Sequence, residues 1–231
     1  MKNSRRIGWF LRFLVKHWQK VVPLPDDGSI EPDVVIPTSF VTGREALTDG
    51  TREVLKWAIG LATFYDNPAV IAMSNCSYPF PGAEEVEQRL RQEMIDVATK
   101  HQGRPIFKKV IHADPMVSTV NEAMNVRRAL NAQCIYPKNI LVVTGQGHSR
   151  GAHKIWSTVF PNARVYLSLI NFSYETQPDH PVHDQRSPWK WFVMNVLRQC
   201  ALWVFPLRAL AKVQHGNGNL LFQILRNLKA S

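Results

Sequence analysis

Short apolar runs alternate with helix-patterned segments through the middle of the chain, and this alternation narrows the possible folds more than any other feature. The apolar runs occupy residues 33–37, 69–73, 107–111, 139–144 and 163–170. Helical spacing of apolar residues fills residues 48–64, 83–99, 119–130 and 152–160. Such alternation is typical of βαβ units, whose right-handed crossovers make the strands parallel. We therefore predict an α/β fold with a doubly wound, mostly parallel five-stranded sheet and helices on both faces.

Basic residues are concentrated at the two ends of the chain. The protein has 28 Lys and Arg against 18 Asp and Glu, a formal net charge of +10. Six basic residues lie in residues 1–25 and seven in residues 185–231, and neither segment contains an acidic residue. This excess predicts an anionic partner for the termini, either phospholipid or nucleic acid. No helix-turn-helix, zinc-finger or RNA-binding signature occurs, so we expect an anionic membrane surface and no nucleic acid.

The N-terminal segment has the pattern of an amphipathic helix. Arg12, Lys16 and Lys20 recur at helical spacing, while Trp and Phe residues cover the other faces. A basic stripe opposite aromatic residues is typical of a helix lying in a membrane interface. The alternative is a helix that packs on its own domain with a basic face toward solvent. Three segments follow, namely a basic amphipathic helix in residues 1–25, the α/β domain in residues 33–170 and apolar, basic C-terminal helices in residues 188–231.

The C-terminal segment contains the most apolar stretch of the sequence, at residues 189–205. Arg198 lies in its middle, and a central arginine costs about 2.5–3.5 kcal/mol on membrane-insertion scales. We therefore expect a helix that packs on the sheet or sinks halfway into lipid, rather than one that spans a bilayer. Shorter amphipathic helices are predicted at residues 207–213 and 220–228.

Polar residues follow the predicted strands, where an open parallel sheet binds its ligands. They are Thr38, Ser39, Ser74, Asn75, His112, Asp114, Thr144, Gly145, Gly147, His148 and Arg150. Because parallel strands end at the same edge, we expect these residues to form one polar pocket. The alternative is that they are ordinary exposed turns.

The most informative stretch is residues 142–156, VVTGQGHSRGAHKIW, where a strand enters a glycine-bearing turn that opens a helix. Free backbone N–H groups and the helix dipole favour an anion there. Arg150 adds planar donors suited to phosphate, and His148 has the ordinary pKa of a general acid or base. Neither the P-loop nor the GxGxxG pattern is present. The alternative is a glycine turn followed by a helix cap at Ser149.

A second polar stretch, residues 112–123, precedes and begins a predicted helix. Ser118 or Thr119 can cap this helix, and Glu122 fits a capping box with Thr119. Asp114 and Asn121 are in addition candidates to face the pocket. Two histidines at residues 180 and 183 have flanking carboxylates, but no further ligand is identifiable, so we expect no metal site.

The order of these elements resembles the DUF218 family (domain of unknown function 218, the YdcF/SanA-like proteins) over residues 33–170. Thr144, His148 and Ala152 match the family motif T-x-x-x-H-x-x-R-A, with Arg150 one position before the family arginine. In the preceding motif Thr119 and Ala123 match, and Asn121-Glu122 stand in reversed order. The family also carries a glutamate at its second helix, for which Glu93 fits best and Glu84 or Glu85 are alternatives.

The resemblance implies a Rossmann-like fold, a pocket at the strand ends and a bacterial envelope-linked role without an agreed reaction. We expect the protein at the cytoplasmic side of the inner membrane, peripherally bound, or in the cytoplasm. A phosphorylated or nucleotide-like small molecule would be held by Arg150 and the Gly145–Ser149 backbone. His148 would transfer a proton, with Glu93 and Asn121 orienting the ligand, so that the protein is a hydrolase or transferase. The alternative is a non-catalytic membrane-surface scaffold; the cofactor and the oligomeric state stay open.

Overall fold

The five predicted strands form one sheet in the computed structural model, which describes residues 8–25, 28–174 and 176–211. The strands are β1 (Val34–Pro37), β2 (Val70–Cys76), β3 (Lys109–Met116), β4 (Asn139–Gly145) and β5 (Arg164–Ile170). The helices are α1 (Trp9–Trp18), α2 (Asp49–Ala62), α3 (Ala83–Gln102), α4 (Thr119–Ala132), α5 (Ser149–Val159), α6 (Pro188–Val204) and α7 (Leu207–Leu210). Residues 1–7 and the predicted helix at 220–228 lie outside the described residues.

The strands are all parallel and follow the order β3-β2-β1-β4-β5. The chain first winds outward from β1 to β3 and then returns to place β4 on the other side of β1. This confirms the predicted α/β class and gives a Rossmann-like doubly wound sheet. The reversal of direction falls between β1 and β4, where such folds open a crevice for ligands.

Alternate residues of each strand face opposite sides of the sheet, which divides the core in two. Val34 and Ile36 of β1 pack with α4 and α5, and Trp156 is the largest fully buried side chain on that face. Val35 faces the other side, where α1, α2 and α3 pack. This period of two is the geometry of a pleated strand buried on both faces.

The edge strand β3 differs most from its prediction, because it begins and ends later than residues 107–111. Its outer positions are polar or exposed, so it lacks the continuous apolar run of a central strand. Pro115 is tolerated because a strand edge needs no N–H there. At the opposite edge of the sheet, the Leu167 N–H donates to the Val22 carbonyl (2.7 Å), so the segment after α1 partly covers β5.

Candidate functional site

The carboxyl ends of β1 and β4 are tied together by threonine side chains. The Thr38 hydroxyl donates to the Val143 carbonyl (3.1 Å) and lies 3.0 Å from the Thr144 hydroxyl oxygen. Both threonines are buried. Thr38 and Thr144 form the floor of the crevice, and side chains from the following turns and helices pack over this floor.

His148 lies above this floor, 8 % exposed, in the short 3-10 turn between β4 and α5. Its Nε2 is 3.1 Å from the Thr119 hydroxyl, and its Nδ1 is 3.1 Å from Asn195 Oδ1. The ring stacks on Trp191 and meets the Phe40 ring at an edge. Burial lowers the pKa of His148 from 6.5 to about 4, so the imidazole is neutral at physiological pH. Three separate elements therefore hold one neutral imidazole in a fixed orientation.

A second polar cluster lies beside β1 and β2 and is supplied by α3 and α4. Glu87 and Arg91 form an ion pair (3.3 Å) with both side chains fully buried. Arg91 also donates to the Pro37 carbonyl at the end of β1 (3.0 Å). The Ser39 N–H donates to Glu122 Oε1 (3.2 Å), so this carboxyl group faces the strand ends as well.

The protonation of Glu122 follows from its surroundings. Burial raises the pKa of Glu122 to about 8, and the neighbouring guanidinium of Arg91 only partly offsets this effect. Glu87 already neutralises Arg91, so a second buried carboxylate would leave an excess negative charge in a medium of low dielectric constant. The Glu122 carboxyl therefore keeps its proton at neutral pH.

Helix α6 covers the strand ends and adds polar side chains of its own. Arg198 forms a mostly buried ion pair with Asp184, which lies in the turn before the helix. Burial raises the pKa of Tyr78 well above its usual value, with Arg198 and Asp184 among the charges that act on it. The same helix brings Trp191 and Asn195 onto the ring of His148. The side of α6 that faces the strand ends is therefore partly polar and not purely hydrophobic.

A cavity of about 50 Å³ lies between α4, α5 and α6. Thr119, His148, Asn195 and Arg198 form its polar side, and aliphatic side chains such as Leu202 form the rest. Ligand sites for drug-sized molecules measure roughly 300–1,000 Å³, so this cavity fits one small group.

Several buried hydrogen-bonding atoms near the strand ends have no partner among the described residues. They are Asn75 Oδ1, Glu122 Oε2, Arg91 Nη1, Arg198 Nε, Asp184 Oδ1 and Gln199 Oε1. Buried polar atoms are nearly always paired in folded proteins, because each unpaired one costs about 1–3 kcal/mol. Such a concentration at one edge of the sheet indicates a place for a ligand or for bound water.

Nine of the predicted site residues lie at this edge of the sheet, namely Thr38, Ser39, Ser74, Asn75, Thr119, Thr144, Gly145, Gly147 and His148. Of these nine, Thr119 and His148 line the cavity, and the other seven do not. Their side chains partly serve the fold itself, since Ser74 donates to the Asp114 carbonyl (2.5 Å) and Ser118, the true N-cap of α4, accepts from Asn121 N. Because Ser118 is the cap, Glu122 makes no capping box and is free to turn inward.

Arg150 does not point to the predicted anion site. It is exposed, donates to the Trp18 carbonyl and places its guanidinium carbon 5.2 Å from the centre of the Trp18 ring. The Lys20 N–H donates to Ser149 Oγ (2.8 Å), so the residues just after α1 also contact the first residue of α5. Arg150 and the Gly145–Ser149 turn therefore anchor α1, because a helix carboxyl end attracts a cation.

Glu93, Asp114 and Asn121 also lie apart from the cavity. Glu93 is exposed and pairs with Arg89 on the preceding turn of α3 (2.9 Å). Asp114 is exposed on the edge strand and pairs with Arg128 (3.3 Å). Asn121 Oδ1 accepts from the Val117 N–H (3.0 Å), a local bond that steadies the start of α4. The candidate His112 is partly buried on the edge strand and bonds Gln92 (3.0 Å).

The site contains polar residues that the sequence patterns did not single out. Glu87 and Arg91 are spaced four residues apart, in line with the buried Ala83 and Ile95 of α3. Two opposite charges at helical spacing, in line with buried apolar residues, are thus a sequence pattern that predicts this buried ion pair. No comparable signal marks Asn195, because its position over His148 depends on the path of the loop before α6.

Neither histidine of the 180–183 segment belongs to a metal cluster. His180 is buried and bonds the Phe40 carbonyl (3.0 Å) and the Val182 N–H (3.1 Å), so it fastens the loop that leads to α6. Across the described part of the chain, no group of three or more His, Cys, Asp or Glu side chains could hold a metal ion.

Helices α1 and α6 both carry exposed apolar side chains, which we call together the aromatic face. The rings of Phe10 and Trp189 lie 6.3 Å apart and join the two helices. The face comprises Trp9, Phe10, Phe13, Trp189, Val193, Leu197, Trp203 and Val204, each about half exposed or more. Leu11 and Val15 of α1 are buried against the sheet, so α1 packs on its own domain and exposes aromatic rings at the same time.

The described segments, 8–25, 28–174 and 176–211, contain no helix with the length and apolar character needed to cross a membrane. No protein-family model, no curated protein and no solved structure matches the chain. The resemblance to the DUF218 family therefore stays a prediction that rests on the motif residues.

Proposed function

We propose that the protein is an envelope-associated, DUF218-like protein that binds a phosphate-bearing or nucleotide-like small molecule at the carboxyl edge of its sheet. In this proposal it acts on that molecule as a hydrolase or transferase. Two observations carry the proposal: Arg198 lines the cavity together with a neutral histidine and the first turn of α4, and its buried Nε has no hydrogen-bond partner among the described residues.

Two kinds of donor favour a phosphate group in the cavity. The first is the guanidinium of Arg198, which lines the cavity. The first N–H groups of α4, a helix of 14 residues, have no intrahelical acceptor and lie at the positive end of the helix dipole. The volume of about 50 Å³ fits a phosphate group but not a nucleoside, so the nucleoside part of a nucleotide would lie outside the cavity.

Calorimetric titration with inorganic phosphate and with nucleoside monophosphates tests the proposal. A ligand present at 100 times its Kd should raise the free energy of unfolding by about 2.7 kcal/mol. The informative variant is Arg198→Met combined with Asp184→Asn, because removing both charges leaves no unpaired ion in the interior. We expect this variant to lose phosphate binding.

The matched control is Arg150→Ala, which removes an arginine that points away from the cavity. It should bind phosphate as the wild type does. The proposal is wrong if none of the phosphate compounds stabilises the protein, or if the double variant binds as tightly as the wild type.

The aromatic face favours a second candidate, a non-catalytic scaffold that binds a membrane surface. Its exposed rings adjoin the exposed Arg12, Lys16 and Lys20 of the N-terminal segment, and anionic lipid attracts such side chains by about 1 kcal/mol each. Peripheral attachment at the cytoplasmic side of the inner membrane is the proposed location in either case.

Sedimentation with vesicles of phosphatidylcholine and phosphatidylglycerol tests this second candidate. The wild type should pellet with the vesicles, and Trp9→Ser combined with Trp189→Ser should stay in the supernatant. Phe64→Ser, which removes an exposed ring that follows α2 and lies outside the aromatic face, is the control and should pellet normally. Vesicle binding without any phosphate ligand would favour the scaffold over the enzyme.

A further inference from the structure

The side chains of Thr119, His148 and Asn195 form a linear hydrogen-bonded chain across the cavity wall. Thr119 is at the start of α4, His148 is in the turn before α5, and Asn195 is on α6. The two links are each 3.1 Å long. This distance lies within the range of about 2.6–3.2 Å for a nucleophile and its general base.

The direction of every proton in the chain can be assigned. Asn195 Nδ2 donates to the Trp191 carbonyl one turn earlier (2.9 Å), so Oδ1 is the atom that faces the histidine. An amide oxygen only accepts, and His148 Nδ1 therefore carries the hydrogen. In the neutral ring Nε2 then has the lone pair, and the Thr119 hydroxyl donates to it. The hydroxyl proton thus already points at a base.

From this geometry we propose that Thr119 is a catalytic nucleophile, His148 its general base and Asn195 a positioning residue, acting together on a carboxylic ester. This activity goes beyond the proposed function, because in a cavity that fits one small group the ester group takes the place of the phosphate group. Val120, Ile155 and Leu202 line the same cavity and provide an apolar wall for a short acyl group.

The reaction balances with water as the only further reactant. Thr119 Oγ attacks the ester carbonyl carbon while its proton moves to His148 Nε2. The bond from carbon to the alcohol oxygen then breaks, and that oxygen takes the proton from Nε2. Water attacks the acyl-threonine and gives a proton to Nε2, which returns it to Thr119 Oγ as the carboxylic acid leaves.

The developing negative oxygen would lie at the beginning of α4. The N–H groups of Thr119 and Val120 are in the first helical turn, where no intrahelical carbonyl accepts them. Backbone donors fixed in this way stabilise an oxyanion without rearrangement. Trp191 and Phe40 pack against the imidazole and keep it in line between its two partners.

Labelling of the full chain with a fluorophosphonate, followed by intact-mass measurement and peptide mapping, tests the assignment. We expect one adduct per chain, located on Thr119. Thr119→Val, which replaces the hydroxyl by a methyl group of similar size, should abolish the adduct. Thr158→Val, the same change on the exposed side of α5, should leave labelling unchanged. His148→Gln should slow labelling at least 100-fold.

The role of Asn195 needs a measurement that packing alone would not change. Asn195→Asp places a carboxylate on His148 Nδ1 and favours the charged ring, so the pH at which p-nitrophenyl acetate hydrolysis falls by half should rise. If Asn195→Asp leaves the pH midpoint of hydrolysis unchanged, Asn195 does not position His148.

The inference is overturned if no adduct forms, if the label maps to another hydroxyl, or if Thr119→Val is still labelled. Mapping on the wild-type protein decides the matter even if a variant fails to fold. Phosphate binding without an adduct would leave the proposed function standing and remove only the nucleophile. An adduct on Thr119 without phosphate binding would support the nucleophile and contradict the proposed phosphate site.

Discussion

Replacing Glu122 by glutamine should stabilise the protein, and the gain should grow with pH. The folded protein holds the Glu122 proton up to a pKa of about 8, against an ordinary value of 4.5. Between these values the unfolded chain releases the proton and the folded chain retains it, so the wild type loses stability as pH rises. At pH 7 the loss is about 3 kcal/mol, since each pKa unit corresponds to about 1.4 kcal/mol.

Glutamine has the shape of the protonated acid and keeps an oxygen that accepts from the Ser39 N–H. The substitution therefore removes the pH-dependent loss of stability and keeps the hydrogen bond. Urea unfolding at pH 5, 6 and 7 should show the difference between Glu122→Gln and wild type increasing by about 1.4 kcal/mol per pH unit. Glu93→Gln, at an exposed glutamate of α3, is the control and should show no such trend. An equal difference at all three pH values would mean that Arg91 keeps Glu122 ionised, and the reasoning would be refuted.

Three further outcomes can be checked with standard assays. His148 has its pKa lowered to about 4, so wild type should lose about 2 kcal/mol between pH 6.5 and pH 5, and His148→Gln should remove this loss in urea unfolding. Trp156→Ala should lower the free energy of unfolding by about 3–5 kcal/mol in thermal unfolding, because the ring of this α5 residue is fully buried in the core on that face of the sheet. Arg150→Ala should speed hydrogen exchange at the amides of Leu11 and Val15 while leaving phosphate binding unchanged.

The fold could be predicted because its signals are local. Buried parallel strands are short apolar runs, and amphipathic helices show a period of 3.6 residues, so β1, β2, β4 and β5 were located within one to three residues. The edge strand β3 was placed less well, because a strand exposed on one side mixes lysines with apolar residues.

The site could be predicted only in part, because several of its members depend on distant contacts. Several polar residues at the carboxyl ends of the strands could be located because parallel strands end at one edge, although most of them lie in the last residues of the strands and not after them. Arg150 looked like an anion ligand, but its partner, Trp18, lies 132 residues earlier in the chain. Arg198 was recognised only as a charge within an apolar helix, and the loop after the fifth strand brings it and Asn195 to the cavity beside His148.

A crystal structure of the full chain soaked in phosphate tests the central claim most directly, namely that the polar side chains under α6 form a binding site. The account predicts a phosphate ion in the cavity, within hydrogen-bond distance of Arg198 Nε and the first N–H groups of α4. The ion should be absent when Arg198→Met is combined with Asp184→Asn. An empty cavity at saturating phosphate, or an ion bound beside Arg150 at the end of α1, would contradict it.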